Sequence, residues 1–156
     1  MIDLVEGNLL QADVEALINA VNTEGVMGKG IALQFKRAFP AMFQEYEREA
    51  KAGRLETGRV HVFDVGASKG PRWVINFPTK RSWRQPSRLE WIRTGLESLV
   101  EEVQRRGIQS LAVPALGCGN GGLTWAEVFP LIQESFARVP SVRVLVYPPP
   151  LSGHHP

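Results

Sequence analysis

Two hydrophobic periods alternate along this chain. Short β-branched runs at Ile2–Val5, Ala16–Val21, Val60–Val65, Trp73–Phe77, Ser110–Val113 and Val142–Tyr147 predict strands. Between them, apolar residues recur at helical spacing. Ile31–Ala38 and Met42–Ala52 predict helices, the second opened by Pro40 and followed by Gly53. Leu89, Ile92, Leu96, Leu99, Val100 and Val103 form one stripe of a long helix reaching Arg106. Ser87 is its expected cap, and Gly107 follows it. Thr124, with Glu127 three residues later, is a capping-box signature for a last helix through about Arg138. Strands alternating with helices, without internal repeats, predict an α/β sandwich around a mixed sheet.

Composition narrows the class. At 156 residues, 44% hydrophobic and 22% charged, the chain fits one globular domain. Residues 1–148 are expected to form it, and 149–156 to be a tail. No apolar run approaches the roughly 18 residues of a membrane span. Acids stand near the N-terminus where a signal peptide would be basic, so a cytoplasmic protein is expected. A lone cysteine fits a reducing compartment. Cys118, His61, His154 and His155 have no metal-ligand spacing, so neither metal nor cofactor is expected.

Eighteen basic and sixteen acidic residues leave a formal charge of +2, too little to announce nucleic acid. Their distribution says more. Lys69, Arg72, Lys80, Arg81, Arg84, Arg88 and Arg93 face a single acid, Glu90, across a stretch that also carries Trp83 and Trp91.

Two glycine-rich segments follow predicted strands and precede predicted helices: NAVNTEGVMGKGIALQFK from Asn19, and PALGCGNGGLTW from Pro114. In an open α/β sheet, such strand ends form the crevice where ligands bind. Glycine lets backbone N–H groups approach an anion, and the following helix dipole favours negative charge. Neither segment has Walker or dinucleotide-fold spacing. Either loop alone could be a tight turn; two in one small domain point to a phosphate-bearing ligand.

With GNLLQADVEALINAVNTEGVMGKGIALQFKRAFP and LAVPALGCGNGGLTWAEV, the chain resembles the macrodomain family, whose members bind ADP-ribose. The resemblance implies a three-layer α/β/α sandwich around a mixed central sheet. It implies that Asn22 meets the distal ribose, and that Gly28, Lys29, Gly30, Ile31 and Ala32 wrap ribose and diphosphate. Gly117, Cys118, Gly119, Asn120 and Gly121 would hold the diphosphate from the other side. Tyr147 would lie near the adenine, with Asn8 and Leu9 at the same end. Asn8 stands where many members carry an aspartate that reads the adenine amino group.

GKGIALQFKRAFP and NFPTKRSW resemble one branch in particular, the DNA ADP-ribosyl glycohydrolase antitoxins of the DarT–DarG type. The resemblance implies a hydrolase that frees ADP-ribose from thymidine in single-stranded DNA, and a cognate ADP-ribosyltransferase toxin. A monomer without membrane contact is expected. Two other functions are a non-catalytic ADP-ribose reader and a hydrolase of ADP-ribosyl-glutamate or acylated ADP-ribose.

Lys80 is the expected catalytic residue. Its amine, when neutral, can attack an anomeric carbon or form a Schiff base. It can also act as an acid–base group or stabilise charge. Neighbouring cations would lower its pKa, and Arg81 is adjacent in sequence. A glutamate-specific relative carries an aspartate at the position of Gly121; its absence here favours a mechanism centred on the lysine. Glu24, the only carboxylate in either loop, is a reserve candidate. Cys118 has no basic partner nearby in sequence and reads as a small residue among glycines. Gly119 is the glycine where a side chain is expected to invade the ligand site. Arg81, Arg84 and Arg88 can reach phosphates, and Trp83 offers a face for a base, so the 81–88 loop is the expected DNA contact. Trp91 and Arg93 read as core and solvated helix face.

Overall fold

The structure, a computed structural model, describes residues 1–150. Six strands form one sheet: β1 (Ile2–Leu4), β2 (Ala16–Asn22), β3 (His61–Asp64), β4 (Trp73–Lys80), β5 (Ser110–Val113) and β6 (Arg143–Val146). Their order is β1-β6-β5-β2-β4-β3, and every neighbouring pair is parallel except β3–β4. The helices are α1 (Gly30–Ala38), α2 (Pro40–Lys51), α3 (Leu89–Arg106) and α4 (Trp125–Phe136).

Strand alternation divides the core in two. Ala16 and Ile18 of β2, with Ile75 and Phe77 of β4, pack with the apolar stripes of α3 and α4. Leu17, Val21 and Val74 pack on the opposite face with Phe35 of α1 and Met42 and Tyr46 of α2. The result is a three-layer α/β/α sandwich around a mixed sheet. Helix α3 lies close to the sheet because residue 95 is glycine: a Cβ there would collide with the Phe77 ring. Glycine inside a helix costs about 1 kcal/mol against alanine, and here no larger residue fits.

The two core faces explain where the cleft opens. After β2 the chain turns to α1 on one face; after β5 it turns to α4 on the other. β2 and β5 are neighbours, so their carboxyl ends mark the switch point of the sheet, where diverging connections leave a crevice.

Two elements, β4 and α3, differ from expectation. Strand β4 runs past Phe77 to Lys80 although it contains Pro78. Proline is tolerated because it lies past Asn76, the last residue paired to β3, so β4 has no ladder partner on that side. The β2–β4 register also slips, from Val21 opposite Pro78 to Asn22 opposite Lys80, leaving Thr79 as an extra residue. Ser87 does not cap α3. The N-cap is Arg88, without a side-chain bond, while Ser87 is buried and its N–H donates to the Gly121 carbonyl at 2.8 Å. The capping box of α4 forms: Thr124 Oγ1 accepts from Glu127 N–H, and Thr124 N–H donates to Glu127 Oε1.

The interior also holds a polar chain that hydrophobic periodicity passed over. His61 bridges Glu45 (Nε2 to Oε2, 2.8 Å) and the Asn76 amide (3.1 Å), and Asn76 Oδ1 accepts from Asn19 Nδ2 at 3.1 Å. Asn19 and Asn76 are wholly buried on adjacent strands, tying β2 to β4 just below the cleft.

Candidate active site

A cleft of about 650 Å³ opens at the carboxyl ends of the central strands, within the range of small-ligand sites. Asn22 and Lys80, opposite each other at the ends of β2 and β4, form its floor. Gly28 to Ala32 line one wall; Gly117, Cys118, Asn120 and Gly121 line the facing one. Tyr147 closes one end, next to Pro148, Pro149 and Pro150, the last two being residues the sequence reading gives to the tail. The rest of that tail, 151–156, lies outside the described residues.

Asn22 is buried, and its side chain shapes the first loop. Its Oδ1 accepts from the N–H groups of Glu24 (3.0 Å), Gly25 (3.2 Å) and Val26 (3.3 Å) and from the Tyr46 hydroxyl (2.9 Å). Its Nδ2 gives one hydrogen to the Val26 carbonyl at 3.0 Å and retains the second. Burial raises the Tyr46 phenol well above its usual range, so it stays a neutral donor. Tyr46 was not anticipated as a site residue. It sits one turn after Met42 on the apolar stripe of α2, where tyrosine presents a ring to the core and a hydroxyl beyond it.

The first wall ends in the N-terminus of α1. Lys29 is the N-cap, and the first internal bond runs from Leu33 N–H to the Lys29 carbonyl at 3.3 Å. The N–H groups of Gly30, Ile31 and Ala32 therefore precede the helix ladder, and these residues line the cleft. The facing wall includes Asn120 and Gly121 of a 3-10 turn, Gly119–Gly121, whose first internal bond is Gly122 N–H to Gly119 O at 3.1 Å. Two sets of uncommitted backbone donors thus face each other across a space suited to an anion.

Two of its glycines are held by packing. A Cβ at Gly117 would lie 2.7 Å from Leu123 Cδ1, and one at Gly121 would lie 2.6 Å from Ser87 Oγ. Gly119, where a side chain was expected to invade the ligand space, is exposed and outside the cleft lining; a Cβ there meets nothing within 4 Å. Its constraint is a left-handed φ of 72°.

Asn8 and Leu9 also lie outside the lining. Leu9 is a core residue, 3% exposed. Asn8 Oδ1, the atom expected to read an adenine amino group, already accepts from Leu10 N–H at 3.0 Å as the cap of the 3-10 turn Leu9–Gln11.

The Lys80 side chain is partly buried, and Nζ donates to the Trp83 carbonyl at 3.3 Å. Burial, and then the Lys29 ammonium, hold its pKa below the usual lysine range. The neighbouring cation is thus Lys29 from the facing loop. Arg81, its neighbour in sequence, turns away and stacks on Trp91, 4.9 Å from the ring centre. Arg88 stacks on the same ring at 5.3 Å, so Trp91 serves as a platform for two arginines instead of joining the core. Trp83, 45% exposed, lines the mouth of the cleft under Arg84 at 4.8 Å. The loop between β4 and α3 therefore gathers Arg81, Trp83, Arg84 and Arg88 on the exposed rim beside Lys80.

Cys118 lines the cleft, but burial and the nearby Glu127 carboxylate push its thiol up to about 11. Among the described residues there is no cluster of three potential metal ligands, and no helix is long and apolar enough to cross a membrane.

Comparison with known proteins agrees with this geometry. The Macro domain family model matches residues 18–132. A Thermus aquaticus protein named DNA ADP-ribosyl glycohydrolase is 52% identical over 149 residues, covering 96% of this chain and 41% of the relative. The chain therefore spans about two fifths of the length of that curated relative. The solved macrodomain of Mycobacterium tuberculosis DarG superposes with a TM-score of 0.95 at 49% identity, covering 96% of this chain and 99% of that one. Thermosipho africanus DarTG in complex with ADP-ribose superposes with a TM-score of 0.90 at 37% identity, covering 99% of this chain and 43% of that one.

Proposed function

The chain belongs to the macrodomain family, and on that premise we propose that it is a DNA ADP-ribosyl glycohydrolase. It hydrolyses the N-glycosidic bond between ADP-ribose and thymidine in single-stranded DNA, acting in the cytoplasm as a monomeric antitoxin against a DNA ADP-ribosyltransferase. Water and the conjugate give free ADP-ribose and repaired thymidine.

One observation carries this reading: a partly buried lysine sits on the cleft floor between two glycine-rich loops, beside an exposed arginine–tryptophan rim. The loops bind the diphosphate through backbone N–H groups, and the free Nδ2 hydrogen of Asn22 reaches the distal ribose. Lys80 then acts at the ribose. As a neutral amine it attacks the anomeric carbon, the base departs and takes up a proton, and water releases the sugar. As an acid–base group it moves the proton directly. Either way the charge developing on ribose and base is met inside a cleft of fixed dipoles. The arginines and Trp83 hold the flanking strand.

The test is to offer ADP-ribosylated single-stranded DNA and ADP-ribosylated protein side by side to the wild type and Lys80→Ala. Release of ADP-ribose from the DNA alone, abolished in the variant while free ADP-ribose still binds, is the expected result. Undiminished turnover by Lys80→Ala would overturn the lysine's role. Binding without release from any conjugate would make the protein a reader.

A further inference from the structure

Lys80 and the 81–88 rim do not stand free at the end of β4. Thr23 N–H donates to the Lys80 carbonyl at 3.1 Å, and Thr23 Oγ1 donates to the Arg81 carbonyl at 3.1 Å. Glu24 Oε1 accepts from Trp83 N–H at 2.8 Å. The Trp83 carbonyl in turn accepts from Lys80 Nζ at 3.3 Å. These contacts close a ring of four residues. Lys80 is bonded through its backbone to Thr23, Thr23 is followed by Glu24, Glu24 holds Trp83, and Trp83 returns to the lysine amine. The base of the ring is fixed from the core, because Asn22 Oδ1 accepts from Glu24 N–H and from the buried Tyr46 hydroxyl.

We infer that Glu24 is a positioning residue for the proposed hydrolysis, setting both the Lys80 amine and the Trp83 platform by its grip on the Trp83 N–H. The inference rests on the hydrolase reading and adds to it a part the cleft lining does not include.

The chemistry of the ring calls for an acceptor oxygen at the end of this side chain. Trp83 lies on an exposed loop, where water would satisfy its N–H equally well without fixing the backbone. A charge-assisted bond to a carboxylate is shorter and stronger than a neutral one, and it ties the loop to a strand end that is itself rigid. With its N–H held, Trp83 presents its carbonyl to the lysine and its indole to the cleft mouth. Losing the grip frees both together. The carboxylate acts through position: it meets the backbone N–H of Trp83, whose carbonyl then meets the amine.

Three proteins test this: wild type, Glu24→Ala and Glu24→Gln, each assayed for amide exchange at Trp83, binding of free ADP-ribose, and turnover of ADP-ribosylated oligonucleotide. The alanine variant should exchange the Trp83 amide at least about tenfold faster while amides within β2 and β4 keep their protection. Its kcat should fall about tenfold or more, as expected when a reacting group is misplaced by a fraction of an ångström. Binding of free ADP-ribose should hold within about twofold, since Glu24 touches neither anion loop's donors. Glu24→Gln keeps an acceptor oxygen and should restore most of both losses. An alanine variant with unchanged Trp83 exchange overturns the inference whatever its activity. A glutamine variant as inactive as alanine, with Trp83 fully protected, overturns it too, because the carboxylate would then enter the chemistry itself. Should the wild type release nothing from modified DNA, the hydrolase reading and the positioning role fail together. Exchange at Trp83 would still show whether the grip exists.

Discussion

Gly121 and Ser87 lock the second anion loop to the start of α3. The Ser87 N–H donates to the Gly121 carbonyl at 2.8 Å, and the Ser87 Oγ occupies the space where a Cβ on residue 121 would go. That hydroxyl is buried and, among the described residues, has no hydrogen-bond partner, so it is a spacer with an unmet polar cost. The position where a glutamate-specific relative carries an aspartate is therefore closed here by packing. Gly121→Ala should lower stability by about 1–3 kcal/mol in urea titrations and weaken ADP-ribose binding. Ser87→Ala alone should be close to neutral, since it removes an unsatisfied hydroxyl. The double variant should be more stable than the two single effects predict; strict additivity would mean the contact is slack.

Asn22 is expected to be as important for folding the first loop as for meeting ribose. Replacing it with alanine strands three backbone N–H groups, while the Tyr46 hydroxyl keeps the carbonyl of residue 22 at 2.8 Å. We expect a loss of about 3 kcal/mol, from several unmet buried donors. Tyr46→Phe should cost about 1 kcal/mol, since Asn22 keeps its backbone partners. A smaller loss for Asn22→Ala than for Tyr46→Phe would contradict the bonding pattern.

The sequence announced the layers and the cleft walls because those follow from local rules. Alternation marks a half-buried strand, a three-residue spacing marks the Thr124 cap, and glycines mark close backbone approach. The features it did not announce depend on which residues meet across the fold. Ser87 has the chemistry of a cap, yet its N–H is taken by Gly121 from a loop 34 positions later. Lys29 and Lys80 are far apart in sequence and become neighbours only when β2 and β4 pair. Asn8 has the right chemistry for a base reader but spends its oxygen on Leu10. The bulge at Thr79 has no local signature, although it decides that Lys80 stands opposite Asn22.

Cys118 should be dispensable for catalysis. With the thiol pushed up to about 11 from a usual value of 9.0, its thiolate population near neutral pH falls about a hundredfold. Iodoacetamide should modify it correspondingly slowly against a free-thiol standard. Cys118→Ala should keep turnover within about twofold, because the side chain contributes a small apolar surface to the cleft. Rapid alkylation with loss of activity would return it to the list of nucleophiles.

After burial, Lys29 should contribute to the pH at which Lys80 works. Burial and the second ammonium disfavour the charged lysine, so its folded pKa lies below the unfolded value of 10.5. Between those two values the unfolded chain binds the extra proton, so this site makes stability rise with pH through that window. Lys29→Gln removes the like charge and should move the Lys80 pKa upward. If the neutral amine is the active form, the rising limb of kcat at saturating conjugate should shift to higher pH in this variant. An unshifted limb would mean that the two ammonium groups are not coupled.

The rim should read the DNA strand separately from the ADP-ribose. Arg84 and Trp83 stack at the mouth of the cleft, while Arg81 and Arg88 share Trp91 in the first turn of α3. Each phosphate neutralised on a single strand adds about 0.7 to the slope of log affinity against log salt. Arg84→Ala should therefore reduce that slope by about 0.7 if it contacts one phosphate, and leave free ADP-ribose binding unchanged. Trp83→Ala should cost about 1–3 kcal/mol of conjugate binding by removing a stacking face, with little change in salt slope. Arg93, exposed on α3 and not among the stacked arginines, is the control and should change neither quantity. If Arg84→Ala weakened free ADP-ribose and the DNA conjugate equally, the rim would belong to the nucleotide site and the strand would have to be held elsewhere.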